Sequence, residues 1–221
     1  MKNASFRLAA AMSILLALAA CSSLPDKPSR PVSYDFGAGL LTPSAQDQDQ
    51  SVSRALPPIA LGDIDSAGVP DTAAITYRLQ YTDAQQLRPY ANARWALPPA
   101  QLVRQRLRER LGVNRPVLDA DDLLSQKRIE GRLPRILRLQ LEEFSQVFDS
   151  PGRSEGVLRL RATLVDNAPE GESFVGQRVF VLRKPAASAD AAGGVQALTA
   201  ATDAAGDEIE AWLARLAPRP R

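Results

Sequence analysis

From Ala74 to Tyr81 the chain alternates: Ile75, Tyr77, Leu79 and Tyr81 point one way, Thr76, Arg78 and Gln80 the other. A period of two is the mark of a half-buried strand. A second short run, residues 88–96, follows the polar stretch TDAQQL, and the two together predict a β-hairpin with a loop longer than two residues. Pro98-Pro99 stops the strand and suits the first turn of a helix. From Ala100 to Leu111 the period changes. Val103, Leu107 and Leu111 recur at helical spacing with Leu102 beside them, and Gly112 ends the pattern.

Further along, three more alternating runs appear. Leu137, Leu139 and Leu141 alternate with Arg138, Gln140 and Glu142; Leu158, Leu160, Ala162 and Leu164 with Arg159, Arg161 and Thr163; Val175, Val179 and Val181 with Phe174, Arg178, Phe180 and Leu182. Pro151-Gly152 and Pro169-Glu170-Gly171 separate them as turns. Three such strands predict an antiparallel meander with one buried face. A last helix is predicted from about Gly194 to Leu216, where Leu198, Thr202, Ala205, Ile209, Trp212 and Leu216 form one stripe that covers the sheet. Nearer the start, Val32 to Phe36 reads as a first strand, and Leu56 to Ile64 as a strand whose opening prolines suit a sheet edge. Residues 42–54 read as a polar loop. The expected fold is therefore α+β: a single domain, mostly antiparallel sheet covered by two main amphipathic helices. There is no internal repeat.

Composition narrows the chemistry. The 221 residues include no His and one Cys. That removes histidine-based triads and metal sites, internal disulfides and thiolate clusters. The carboxylate pairs are weak candidates. Glu142-Glu143 is expected to point to opposite faces of a strand, and Asp119, Asp121 and Asp122 look like helix-start acids. No phosphate-binding loop, EF-hand or nucleophile elbow is present. The expectation is a protein that is not an enzyme, with no metal and no dissociable cofactor.

The single cysteine has a context. Lys2 and Arg7 precede an apolar run from Leu8 to Ala20, the layout of a signal peptide, and Leu18-Ala19-Ala20-Cys21 closes it. This resembles the bacterial lipobox, in which Cys21 becomes the first mature residue and carries N-acyl and S-diacylglycerol chains that anchor it stably. The alternative is an ordinary signal peptide followed by a chance cysteine. By the Gram-negative sorting rule, Ser22 in place of Asp points to the outer membrane, periplasmic face. The expected divisions are a signal peptide at 1–20, a lipidated tether at 21–31, a folded domain at 32–216 and a tail at 217–221. Loss of residues 1–20 removes Lys2 and Arg7 and leaves 25 basic against 25 acidic side chains. No overall field remains to attract nucleic acid.

Two clusters invite a binding role. Arg104, Arg106, Arg108 and Arg110 crowd one helix: either a solvated face partly offset by Glu109, or a phospholipid-headgroup or partner patch. Three of four tyrosines and one of two tryptophans lie between Tyr77 and Trp95. Either all are core, or Tyr77 and Tyr81 pack under the helices while Tyr90, Arg94 or Trp95 meet a partner or lipid.

YRLQY, YANARWALPPAQLV and the helix to Leu111, with the lipobox and Tyr34-Asp35-Phe36-Gly37, resemble the ABC-type transport auxiliary lipoprotein family. Its members are the PqiC-like partners of Mce/MlaE-type lipid transport systems. Tyr77, Arg78, Tyr90, Arg94, Trp95 and Pro99 sit where that pattern wants them. The resemblance implies a non-catalytic outer-membrane station that docks a periplasmic Mce-domain protein, and through it a permease and ATPase. It also implies a phospholipid-like cargo, and a symmetric partner would favour a homo-oligomer. The competing expectation is a stand-alone lipid-binding or assembly-chaperone lipoprotein, which requires an apolar pocket of several hundred Å3.

Overall fold

The structure is a computed structural model that describes residues 30–37, 56–120, 133–168 and 171–216. Cys21, the expected signal segment at 1–20, the expected loop at 42–54, Asp121, Asp122 and the expected tail at 217–221 lie outside the described residues. Pro31–Arg221 forms one compact unit. Its described strands are β1 (Val32–Tyr34), β2 (Ile59–Asp65), β3 (Ala74–Leu79), β4 (Asp83–Trp95), β5 (Val117–Asp119), β6 (Arg135–Ser150), β7 (Arg153–Ala168) and β8 (Gly171–Pro185), and its helices are α1 (Pro99–Gly112) and α2 (Ala191–Leu216).

β6 is the spine. One of its edges takes the whole of β7, antiparallel, and β7 takes β8 in the same way. This is the expected meander. The other edge of β6 is shared end to end by two parallel strands: β2 along residues 135–140 and β3 along residues 146–148. Beyond β2 lies β5, parallel, and beyond β3 lie β4, antiparallel, and then β1, parallel to β4. The long ladders are antiparallel and the short ones parallel, so the sheet is mixed.

Three local expectations are corrected. β2 is an inner strand, because Pro57 and Pro58 precede its ladder instead of capping an edge, and both its sides are paired. β4 starts earlier than expected, at Asp83, so most of TDAQQL is strand, and the loop of Gln80, Tyr81 and Thr82 keeps the expected length of more than two residues. Asp119 ends strand β5 and does not start a helix.

The β6, β7 and β8 strands are also longer than the alternation suggested, and in β6 a bulge explains it. The register slips between Leu141 and Glu143. Leu137, Leu139 and Leu141 are buried before the slip, and Phe144, Gln146 and Phe148 after it. The extra residue shifts the inward phase by one, so a strict period of two breaks while the strand continues.

α2 lies across this inward face with Leu198, Ala201, Thr202, Ala205, Ile209, Trp212 and Leu213 buried. Its first turn is capped by Asp190, which accepts from the Gly193 N–H at 2.9 Å. The helix comes so close to β7 that a Cβ at Gly156 would stand 2.6 Å from the Leu198 nitrogen. α1 packs beside α2 and over β2 through Leu102, Val103, Leu107 and Leu111. Each fully buried leucine here contributes about 1.5–3 kcal/mol.

Candidate functional site

The arginine-rich face of α1 is neither a solvated stripe nor a free cationic patch. Each of its guanidiniums meets a carboxylate of this chain. Arg104 donates from Nη2 to both Asp119 oxygens at 2.9 Å and from Nε to the Gly62 carbonyl at 3.1 Å, with Asp63 3.3 Å away. Arg108 adds a bond to Asp119 at 3.3 Å. Arg106 holds Asp203 of α2 through two bonds, 2.6 and 3.0 Å, and Arg110 holds Asp207 one turn later. Past the helix, buried Arg115 grips Glu210 at 2.7 and 3.1 Å and donates to the Pro57 carbonyl at 3.3 Å. The Arg104 hydrogen bond holds the Asp119 carboxyl below its ordinary range, ahead of the opposing effect of desolvation. A headgroup or partner carboxylate at Arg104 or Arg108 would have to displace Asp119.

The aromatic cluster divides differently from the expected split. Trp95 is 1% exposed and packs edge-on to Phe36, with ring centroids 5.5 Å apart, and against Phe144 at 5.7 Å. It is core. Tyr81, expected beneath the helices, is 47% exposed, because β3 ends at Leu79 and leaves Tyr81 in the turn. Tyr77 and Tyr90 are half-buried, their rings 4.6 Å apart. The Tyr90 hydroxyl donates to Gln146 Oε1 at 2.7 Å, and Gln146 Nε2 donates to Ser154 Oγ at 2.8 Å. Burial pushes the Tyr90 phenol above its usual value. Gln146 and Ser154 are buried polar groups that sequence reading passed over, and each answers the other. Gly194 makes room for this chain: a Cβ there would collide with the Gln146 amide. Of the residues assigned to a contact, Arg94 is exposed and makes no ion pair among the described residues.

The carboxylates are also engaged. Because of the β6 bulge, Glu142 and Glu143 both serve the outer sheet face instead of opposite faces. Glu142 accepts from Arg159 at 2.6 Å and Arg161 at 2.7 Å, and Glu143 from Arg78 at 3.2 and 3.4 Å. Among the described residues no cluster of three potential ligands is arranged to hold a metal. An open groove of about 550 Å3 runs between the end of β2 and the start of α1, lined by Asp63, Asp65, Asp71, Gln101, Arg104 and Gln105 among others. Its carboxylates make it unsuited to an acyl chain.

No curated protein matches the chain. Among solved structures, a DUF330-family protein from Xanthomonas campestris is similar at a TM-score of 0.57 and 17% identity, over 86% of this chain and 90% of that one. A second, uncharacterized protein is similar at 0.50 and 18%, over 72% and 95%. At these identities the likeness is one of fold. The family model for the ABC-type transport auxiliary lipoprotein component matches residues 40–210, from ahead of β2 nearly to the end of α2. The chain therefore belongs to the family of ABC-type transport auxiliary lipoprotein components.

Proposed function

We propose that this protein is the lipid-anchored station of an ABC-type system that moves lipids between membranes. It stands on the periplasmic face of the outer membrane and docks an Mce-domain partner there. Membership of the family supports a non-catalytic auxiliary lipoprotein, and the match over residues 40–210 is the observation that carries the reading. The anchor is argued from Cys21 after Leu18-Ala19-Ala20, and the outer membrane from Ser22. No helix among the described residues is long and apolar enough to cross a membrane. Exposed Arg94, on β4, is the first contact position to change. A stand-alone carrier would need an apolar pocket, and the groove beside α1, lined by carboxylates, does not supply one.

Metabolic labelling with an alkyne fatty acid, followed by separation of inner and outer membranes, tests the anchor. The wild-type chain should carry label and sediment with the outer membrane, and Cys21→Ala should lose both. Unlabelled wild-type protein in the soluble fraction would contradict it.

A further inference from the structure

Sheets expose unpaired backbone groups at their edges, and chains blunt those edges with shortness, proline or cover. This sheet follows that rule at most of its open edges. β1 and β5 are three residues each. The free side of β4 carries Pro89 within the strand. β8 does not follow it. The strand is 15 residues long, pairs among the described residues only with β7, and holds no proline before its last residue. One register slip, beside Val175, interrupts it; from Gly176 to Pro185 the ladder is regular.

The side chains of β8 point the same way as its backbone. Phe174 is 70% exposed and Val181 53%. Phe174 stands opposite Val165 and Val181 opposite Arg159, so both project from the outer face of the sheet, away from α2. The charge is one-sided. Arg178, Arg183 and Lys184 lie on the strand against one acid, Glu172, which Arg138 already engages at 2.7 Å. The pairs of Arg178 with Glu208 at 3.5 Å and Arg183 with Glu155 at 3.4 Å are long and exposed, the kind that contributes least.

We propose that β8 is a docking edge for an extended acidic segment of a partner protein, which adds to the sheet as a further strand. Backbone pairing supplies the attachment, Phe174 and Val181 receive apolar side chains at alternate positions, and Arg183 and Lys184 select for carboxylates. A second copy of this chain fits less well, because its own β8 brings the same excess of cations. In strand order β8 is the end opposite β1, the strand that follows the Cys21 segment in sequence. The inference rests on the reading above only for where the partner comes from.

The test uses the full chain in mild detergent and two fluorescent decapeptides, alternating Glu-Val and alternating Lys-Val. Fluorescence anisotropy reads binding, and hydrogen exchange reads its location. The acidic peptide should bind at least tenfold more tightly than the basic one and slow exchange within residues 174–184. Arg183→Glu with Lys184→Glu should reverse that preference while the circular-dichroism melting temperature holds. Absence of binding, equal binding of the two peptides, protection away from β8, or light scattering that shows the chain self-paired through β8 would each overturn it. None of these outcomes depends on Cys21 acylation or on the transporter, so failure here is separable from failure of the function proposed above.

Discussion

Arg115 is the most deeply placed cation of the described fold, its side chain 4% exposed, and Glu210 beside it is 16% exposed. Taking a guanidinium out of water is tolerated only while its partners remain. Glu210→Ala leaves Arg115 with the Pro57 carbonyl and should destabilise the chain by about 3 kcal/mol. Arg115→Met combined with Glu210→Leu should restore most of the loss. Urea unfolding of the three proteins checks this, and a double variant as weak as the single one would contradict it. Asp119 carries a pH dependence. Its folded pKa lies below its unfolded value, chiefly through the Arg104 bond. Its contribution is therefore present above an unfolded value of about 3.9 and is lost as pH falls through the folded pKa. Wild-type stability should drop more steeply below about pH 4 than that of Asp119→Asn, and parallel curves would refute the assignment. These partners were only half legible in the sequence. Arg106 and Arg110 sit one turn apart, as do Asp203 and Asp207, and the spacings match across the helix interface. But Asp203 is 97 residues from Arg106, so no local window joins them, and a row of arginines reads as a patch until the fold supplies its acids.

At the scale of elements, the decisive close approach is that of α2 to β7 over Gly156. A Cβ there would stand 2.6 Å from the Leu198 nitrogen and 2.8 Å from the Ala197 Cβ, groups held in a helix backbone that cannot swing aside. Gly156→Ala should therefore cost about 1–3 kcal/mol, while Gly152→Ala, in the open β6–β7 turn with nothing within 4 Å, should cost far less. Thermal melts of both variants make the comparison, and equal losses would mean that the helix is free to lift. Both helices and the meander were readable, because each element carries a stretch of apolar residues in one phase, such as Leu137 to Leu141 and Leu158 to Leu164. The full length of β6 was not. The bulge at Glu142 moves the inward set from Leu141 to Phe144, and Gln146 occupies an inward position that a hydrophobic pattern counts as outward. The parallel contacts of β2 and β3 with β6 were hidden for another reason. Such register is fixed by packing between distant segments and leaves no turn to read.

For the whole molecule, the class of fold and the family followed from short-range pattern and from one stretch, residues 74–111, whose strand, turn and helix succeed one another in sequence. Which residues face a partner did not follow. Trp95 is drawn inward by Phe36 and Phe144, and Arg104 and Arg108 by Asp119, so the surface left open is set by the completed fold. The central claim concerns what that surface meets in the cell. Crosslinking in intact cells, then purification of the tagged lipoprotein from solubilised membranes and mass spectrometry, tests it most directly. An Mce-domain protein should be recovered, with a permease and an ATPase in smaller amounts. Recovery of the lipoprotein with lipid alone would contradict it and favour a carrier that works without a transporter.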